Sequence, residues 1–122
     1  MVLKNEGFTS IIASLPTRKD SIPNKITVTD GCVELPKANL NCFVISKNKT
    51  VTECGKTFDF TTFLYGHQID VYETKLMKEI YRNEGSDYTV WGKMKPNLFK
   101  ELTDCFKNSS SVKNKYKKIL SK

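Results

Sequence analysis

One segment of the chain, residues 67–85, has the features of a complete amphipathic helix. Asp70 is a favourable N-cap, and Glu73 is placed three positions later to complete a capping box. Apolar side chains recur with a 3.6-residue period on one half of the helical wheel, and charged side chains cover most of the other half. Gly85 supplies the left-handed residue at which helices commonly end. The pattern predicts a central helix over residues 70–84.

The sequence before this helix predicts strands. Short alternating or apolar runs, separated by turn residues, recur every 8–12 positions between residues 8 and 65. The clearest pair flanks Asp30-Gly31, a dipeptide that favours a two-residue type I′ hairpin turn. Residues 87–94 predict one more strand after the helix.

Two amphipathic segments joined by a short polar turn close the chain, and residues 97–122 are predicted to form a basic helical pair. The predicted fold class is therefore α+β, with an antiparallel β-meander of about six strands, one central helix and a C-terminal helical hairpin. A length of 122 residues suits one domain with a single core.

Positive charge is concentrated at the end of the chain. Residues 1–92 hold 11 basic and 11 acidic residues, whereas residues 93–122 hold nine lysines against Glu101 and Asp104, so the net charge of +7 lies there. A cluster of like charges repels itself in the folded state, and a polyanionic partner is one reason to keep it. We predict that this region binds nucleic acid. The lysines expected to meet phosphates on the last helix are Lys113, Lys115, Lys117 and Lys118, with Lys93, Lys95 and Lys100 as a second row.

The kind of basic residue predicts weak sequence specificity. Of the 20 basic residues, 18 are lysine and only Arg18 and Arg82 are arginine. Arginine provides the bidentate geometry that reads guanine, so lysine richness favours contact with the DNA or RNA backbone. Lysine and asparagine richness is also typical of AT-rich genomes, as in many phages or low-GC bacteria. Six aromatic residues on two predicted strands either line the core or form a platform for single-stranded nucleic acid: Phe58, Phe60, Phe63, Tyr65, Tyr88 and Trp91.

No motif in the sequence indicates catalysis, a cofactor or a metal. Gly55-Lys56-Thr57 resembles part of a phosphate loop, but the required earlier glycine is replaced by Thr50, so a hairpin turn is predicted. His67 is the single histidine, so any histidine-dependent reaction would need it; a solvated loop position is the simpler interpretation. The four cysteines lack metal-ligand spacing and are predicted to be reduced thiols without a structural disulfide: Cys32, Cys42, Cys54 and Cys105.

A protein-binding module is the alternative prediction. A small phage or viral factor that binds and modulates a host protein needs no catalytic motif, and a sheet edge or an exposed helix stripe would be its interface. No apolar run approaches the roughly 20 residues needed to cross a bilayer, and the N-terminal residues lack a secretory signal. We therefore expect a cytoplasmic protein that does not enter a membrane.

Overall fold

The computed structural model of the protein describes residues 1–5, 9–12, 30–86 and 91–121. Short 3-10 turns at Pro36–Ala38 and Gly66–Gln68 connect some of the strands. The elements in chain order are β1 (Val2–Asn5), β2 (Thr9–Ile12), β3 (Gly31–Leu35), β4 (Leu40–Ile45), β5 (Thr62–Tyr65), β6 (Asp70–Glu73), α1 (Thr74–Ile80), α2 (Pro96–Lys107) and α3 (Asn114–Leu120).

Strand β4 is the centre of an antiparallel sheet with the order β3–β4–β5. Its sequence is almost continuously apolar and all six of its residues are buried, as expected for a strand covered on both faces. Successive side chains alternate between the two faces. Phe43 and Ile45 belong to the core cluster that includes the C-terminal helices, whereas Cys42 and Val44 belong to a cluster with Phe63 on the other face.

Helices α2 and α3 supply most of the larger core cluster. Pro96 begins α2, where its fixed φ and missing amide hydrogen are tolerated. The buried side chains of α2 recur at helical spacing, and Tyr116 and Leu120 of α3 pack into the same cluster. Those of α2 in this cluster are Leu98, Leu102, Cys105 and Phe106. The predicted C-terminal helical pair is therefore present.

The remaining described strands form a second antiparallel sheet, with the order β1–β2–β6. Strand β2 is its middle strand, and Ile11 lies opposite Val71 of β6. The turn at Gly66–Gln68 carries the chain from β5 in the first sheet to β6 in the second.

The predicted fold, one β-meander of about six strands with one central helix, is wrong. The described strands form two separate three-stranded sheets, accompanied by three α-helices. The physical reason is the pairing of β6 with β2, which is remote in the chain, instead of with the neighbouring β5.

The predicted helix over residues 70–84 is wrong at its start and its length. Asp70–Glu73 pairs with β2 as a strand, and the helix that follows, α1, has only seven residues. Glu73 is the N-cap residue in an extended conformation and makes no side-chain capping bond, so the predicted capping box does not form. Strand pairing has overridden the local helix signal.

Ile69 of this segment is buried in the core, but the part of the apolar stripe on α1 and just after it stays largely exposed. Three large apolar side chains there are 46–57% exposed, namely Leu76, Ile80 and Tyr81. Gly85 has the predicted positive φ, +95°, but lies beyond the helix end at Ile80. The helix therefore leaves an apolar face uncovered by the described residues.

Two further strand predictions have different outcomes. Residues 91–93 have no regular secondary structure and Met94 makes only an isolated bridge to Thr52, so the predicted strand over 87–94 is wrong where it is described; residues 87–90 lie outside the described residues. The first arm of the predicted Asp30-Gly31 hairpin, residues 25–29, also lies outside them.

The turn at Gly55 is confirmed: Thr50 bridges Thr57 across it, and the glycine has a φ of +90°.

A disulfide between Cys32 of β3 and Cys105 of α2 contradicts the prediction of four free thiols. The two residues are 73 positions apart, and the packing of α2 against β3 brings their Cα atoms to 5.6 Å. Cys42 and Cys54 are free. Sequence spacing could not indicate this pair, because only the tertiary packing creates it.

Candidate nucleic-acid interface

Helix α3 presents two lysines on one exposed face. Tyr116 and Leu120 of the helix are buried, and Lys115 and Lys118 are exposed. Residues three positions apart on a helix are surface neighbours, with Cβ atoms about 5–6 Å apart. Neither ammonium group has a salt-bridge partner among the described residues, so this face carries two uncompensated positive charges.

The ring of Tyr116 holds two of the predicted lysines at its surface. Lys115 Nζ lies 5.0 Å and Lys113 Nζ 5.9 Å from the ring centroid, within the range of cation–π attraction. The Tyr116 hydroxyl donates to Asp70 Oδ1 at 3.3 Å, which joins the helix to β6. Both ammonium groups therefore lie within 6 Å of the centre of one buried ring.

Lys117 does not share this role. Its Nζ donates to the backbone oxygen of Ser109 at 2.9 Å and fixes the turn between α2 and α3. The carbonyl would compete with a phosphate for the ammonium group. Lys117 is therefore bound within the protein, in contrast to Lys113, Lys115 and Lys118.

The predicted second row of lysines does not form a row. Lys100 is paired with Asp104 at 2.9 Å, a hydrogen bond that raises the pKa of Lys100; bonds from Lys100 and Lys107 lower the pKa of Asp104. Lys93 and Lys95 lie before α2 in an extended segment. Their backbone groups pair with residues 51–53 and their side chains are exposed.

Lys93 and Lys95 follow an aromatic cluster. The rings of Phe58 and Trp91 stack at a centroid distance of 4.9 Å and an interplanar angle of 6°. Lys56 Nζ lies 5.7 Å from the Trp91 ring centroid and donates to the Trp91 carbonyl oxygen. Proteins that hold single-stranded nucleic acid also combine aromatic side chains with cations.

The other aromatic residues named from the sequence divide between core and surface. Phe63 and Tyr65 are buried in the second core cluster, as in the core-lining interpretation. Phe60 is 68% exposed, and Tyr88 lies outside the described residues. The sequence alone did not distinguish these environments, because alternation does not say which face of a strand is covered.

Gly92 allows the aromatic segment to approach the hairpin at Gly55. Its φ is +153°, and a Cβ there would lie 3.0 Å from Thr52 Cγ2 and 3.4 Å from Cys54 Sγ. A side chain at residue 92 would push Trp91 and its flanking lysines away from the hairpin.

His67, the single histidine, is exposed in the turn Gly66–Gln68. Its ring centroid lies 5.5 Å from that of Tyr65. Within the described ranges, no group of three His, Cys, Asp or Glu side chains is placed to hold a metal ion. That the protein is not an enzyme stays a prediction.

The two free cysteines have opposite environments. The hydrogen-bond contact between Cys54 Sγ and Thr52 Oγ1, at 3.2 Å, lowers the pKa of the exposed Cys54 thiol, and the charge of Lys56 lowers it further. Burial raises the pKa of Cys42 to about 12. Because the thiolate is the reactive form, the two thiols should differ greatly in reactivity.

We expect iodoacetamide at neutral pH to label only Cys54 in the native protein, with Cys42 labelled after unfolding and the disulfide pair only after reduction. Thr52→Val should slow the labelling of Cys54, since loss of the hydrogen bond raises its pKa and lowers the thiolate fraction. The difference between the variant and the unmodified protein should vanish above about pH 10, where Cys54 is ionised in both proteins. Peptide mass mapping measures each site, and native labelling of Cys42 or Cys105 would contradict the assignment.

Comparisons of the chain with models of protein families, with curated proteins and with solved structures found no match.

Proposed function

We propose that the protein binds nucleic acid through the lysines of α3, by contact with backbone phosphates and with weak sequence specificity. The observation that supports this most directly is the exposed pair Lys115 and Lys118, with Lys113 beside it and no salt-bridge partner for any of them among the described residues. Asp104 of α2 is already paired with Lys100 and Lys107. Phosphates supply the missing negative charge. The proposed role is binding to DNA or RNA without catalysis, cofactor or metal.

A charge-matched pair of double variants tests the proposal. Lys115→Glu/Lys118→Glu reverses two exposed lysines three positions apart on α3, and Lys75→Glu/Lys78→Glu reverses two exposed lysines with the same spacing on α1. Both change the net charge by the same amount. We expect the α3 variant to weaken binding of a fluorescent oligonucleotide at least tenfold and the α1 variant less than threefold, measured by anisotropy.

Salt dependence gives a second measurement of the same contacts. With about 0.9 counterions released per neutralised phosphate, three lysines predict a slope of about −3 for log affinity against log salt concentration. The α3 variant should reduce this slope by about two. Equal losses in both variants would show a response to net charge alone, and failure of the unmodified protein to bind would refute the proposal.

Binding to a protein partner is the second proposal, and the exposed apolar face of α1 favours it. Leu76, Ile80 and Tyr81 are about half exposed, and such patches commonly mark interaction surfaces. Retention of the protein on DNA and RNA columns separates the two proposals. If the protein passes a DNA and an RNA column unretarded at physiological salt, the apolar face of α1 becomes the better-supported binding surface. The proposed host-protein partner and phage or viral origin belong to this second proposal.

The proposal places the protein in the cytoplasm. No helix in the described part of the chain is long and apolar enough to cross a membrane. The Cys32–Cys105 disulfide is an observation against a cytoplasmic location, because a reducing cytosol keeps most cysteines as thiols. A disulfide that persists in cells would place the protein in an oxidising compartment.

A further inference from the structure

The indole of Trp91 belongs to a stack of two rings at the surface of the protein. Phe58 is partly buried and packs on the larger core cluster. Its ring lies nearly parallel to the indole, with a centroid distance of 4.9 Å and an interplanar angle of 6°. Trp91 itself is 37% exposed, so solvent also reaches the indole. The Phe58–Trp91 stack therefore connects the core to an aromatic surface that a ligand can reach.

Hydrogen bonds fix the position of this indole. The backbone of residues 93 and 95 bonds to the backbone of residues 53 and 51, at 2.8 Å in each case. Lys56 Nζ donates to the carbonyl oxygen of Trp91 itself. A ring that is already held in place loses little conformational freedom when a ligand binds, and this lowers the cost of binding. The stack is therefore preorganised.

Positive charge accompanies the stack. Lys56 Nζ lies 5.7 Å from the centroid of the Trp91 ring, and an ammonium group that donates one hydrogen bond keeps two further N–H donors. The two hydrogen-bonded segments, 50–57 and 91–95, carry three lysines and one acid: Lys56, Lys93, Lys95 and Glu53. None of these lysines has a salt-bridge partner in the described part of the chain. The aromatic surface therefore lies in a region of excess positive charge.

We infer that the Phe58–Trp91 stack binds an unpaired nucleobase, with Lys56 beside it to meet a phosphate of the same strand. The inference rests on the proposed function, and it names single-stranded nucleic acid as the preferred substrate. An unpaired base offers a flat face for stacking and carries a phosphate next to it. A base inside a duplex is already stacked on its neighbours. An apolar peptide would use the rings but would leave the lysine charges uncompensated.

The fluorescence of Trp91 tests the inference directly, because this residue is the single tryptophan of the chain. A pyrimidine oligonucleotide is added to the full chain as a single strand and as a duplex with its complement, and a labelled copy gives the affinity by anisotropy. We expect the single strand to quench Trp91 at the same midpoint at which it binds. The duplex should quench little and bind about fivefold more weakly, which corresponds to the stacking of one base.

Three variants separate stacking from other effects of an exposed ring. Trp91→Leu should weaken binding of the single strand by about fivefold or more and binding of the duplex by less than about twofold. Trp91→Phe keeps an aromatic face and should retain most of the affinity. Phe60→Leu is the control, since it removes a ring that is 68% exposed and is not part of the stack. Equal losses in Trp91→Leu and Phe60→Leu would overturn the inference.

The outcomes distinguish the inference from the function on which it rests. Binding by anisotropy without quenching of Trp91, or equal affinities for the single strand and the duplex, would overturn the stack as a base-binding site and leave the proposed function standing. Quenching and affinity that are unchanged in Lys115→Glu/Lys118→Glu would retain the stack and refute the α3 interface. If neither form of the oligonucleotide binds or quenches, both proposals fail.

Discussion

Breaking the Cys32–Cys105 disulfide is expected to lower the free energy of unfolding by about 4 kcal/mol. The cross-link joins residues 73 positions apart, so it restricts a long loop of the unfolded chain, and the loop-entropy relation gives about 4 kcal/mol for that length. It also ties α2 to β3 at a buried side chain, since Cys105 is 5% exposed. For a domain whose total stability is about 5–15 kcal/mol, this is a large fraction.

Urea unfolding with and without a reductant measures this contribution while keeping the side chains identical. Both unfolding curves should be measured on the Cys54→Ser variant. In the unmodified protein the exposed thiolate of Cys54 would exchange with the disulfide in urea. With m values of about 1–3 kcal/mol/M, reduction should lower the midpoint by between about 1 and 4 M. The control carries Cys32→Ala and Cys105→Ala as well and should not respond to reductant. An unchanged midpoint in the parent would show that no such disulfide forms.

Two features that depend only on neighbouring residues were predicted correctly. The two C-terminal helices follow from apolar side chains at helical spacing and from Pro96 at the first position of α2. The turn at Gly55 follows from a residue that tolerates positive φ. These features depend on neighbouring residues, so the sequence contains what is needed to infer them.

Pairing between remote segments could not be predicted in the same way. Asp70–Glu73 carries a good helix-start signal, yet it forms a strand because β2, about sixty positions earlier, is available as a partner. The disulfide has the same origin, since Cys32 and Cys105 meet only after α2 has packed on β3. Local propensity is a weak prior when tertiary pairing competes with it.

The candidate site likewise combines features that the sequence indicated with features that depend on tertiary packing. Counting charges located the lysines of α3, and the spacing of Lys100 and Asp104 already allowed their ion pair. Nothing in the sequence indicated that Lys117 reaches the carbonyl of Ser109. The stacking of Trp91 on Phe58 likewise depends on packing between segments more than thirty positions apart. The sequence therefore identified charged groups but not which of them are free to bind a ligand.

The second large effect is expected for Phe106→Ala, which should lower the free energy of unfolding by about 3–5 kcal/mol. Phe106 is fully buried in α2, in the cluster that joins both C-terminal helices to β4 and β5. Removing its ring loses apolar burial and leaves a cavity in close-packed surroundings, which can relax only partially. Urea unfolding followed by circular dichroism, with the disulfide intact in both proteins, measures the loss.

Phe60→Ala is the matched control for this substitution. The same atoms are removed, but Phe60 is 68% exposed, so the expected change is within about 0.5 kcal/mol. The comparison isolates burial from the chemistry of the side chain, because both variants replace phenylalanine by alanine. If the two variants were equally stable, the cluster around Phe106 would not be the core that holds α2 and α3 on the sheet. The lysines of α3 would then lack the rigid support on which the proposed interface depends.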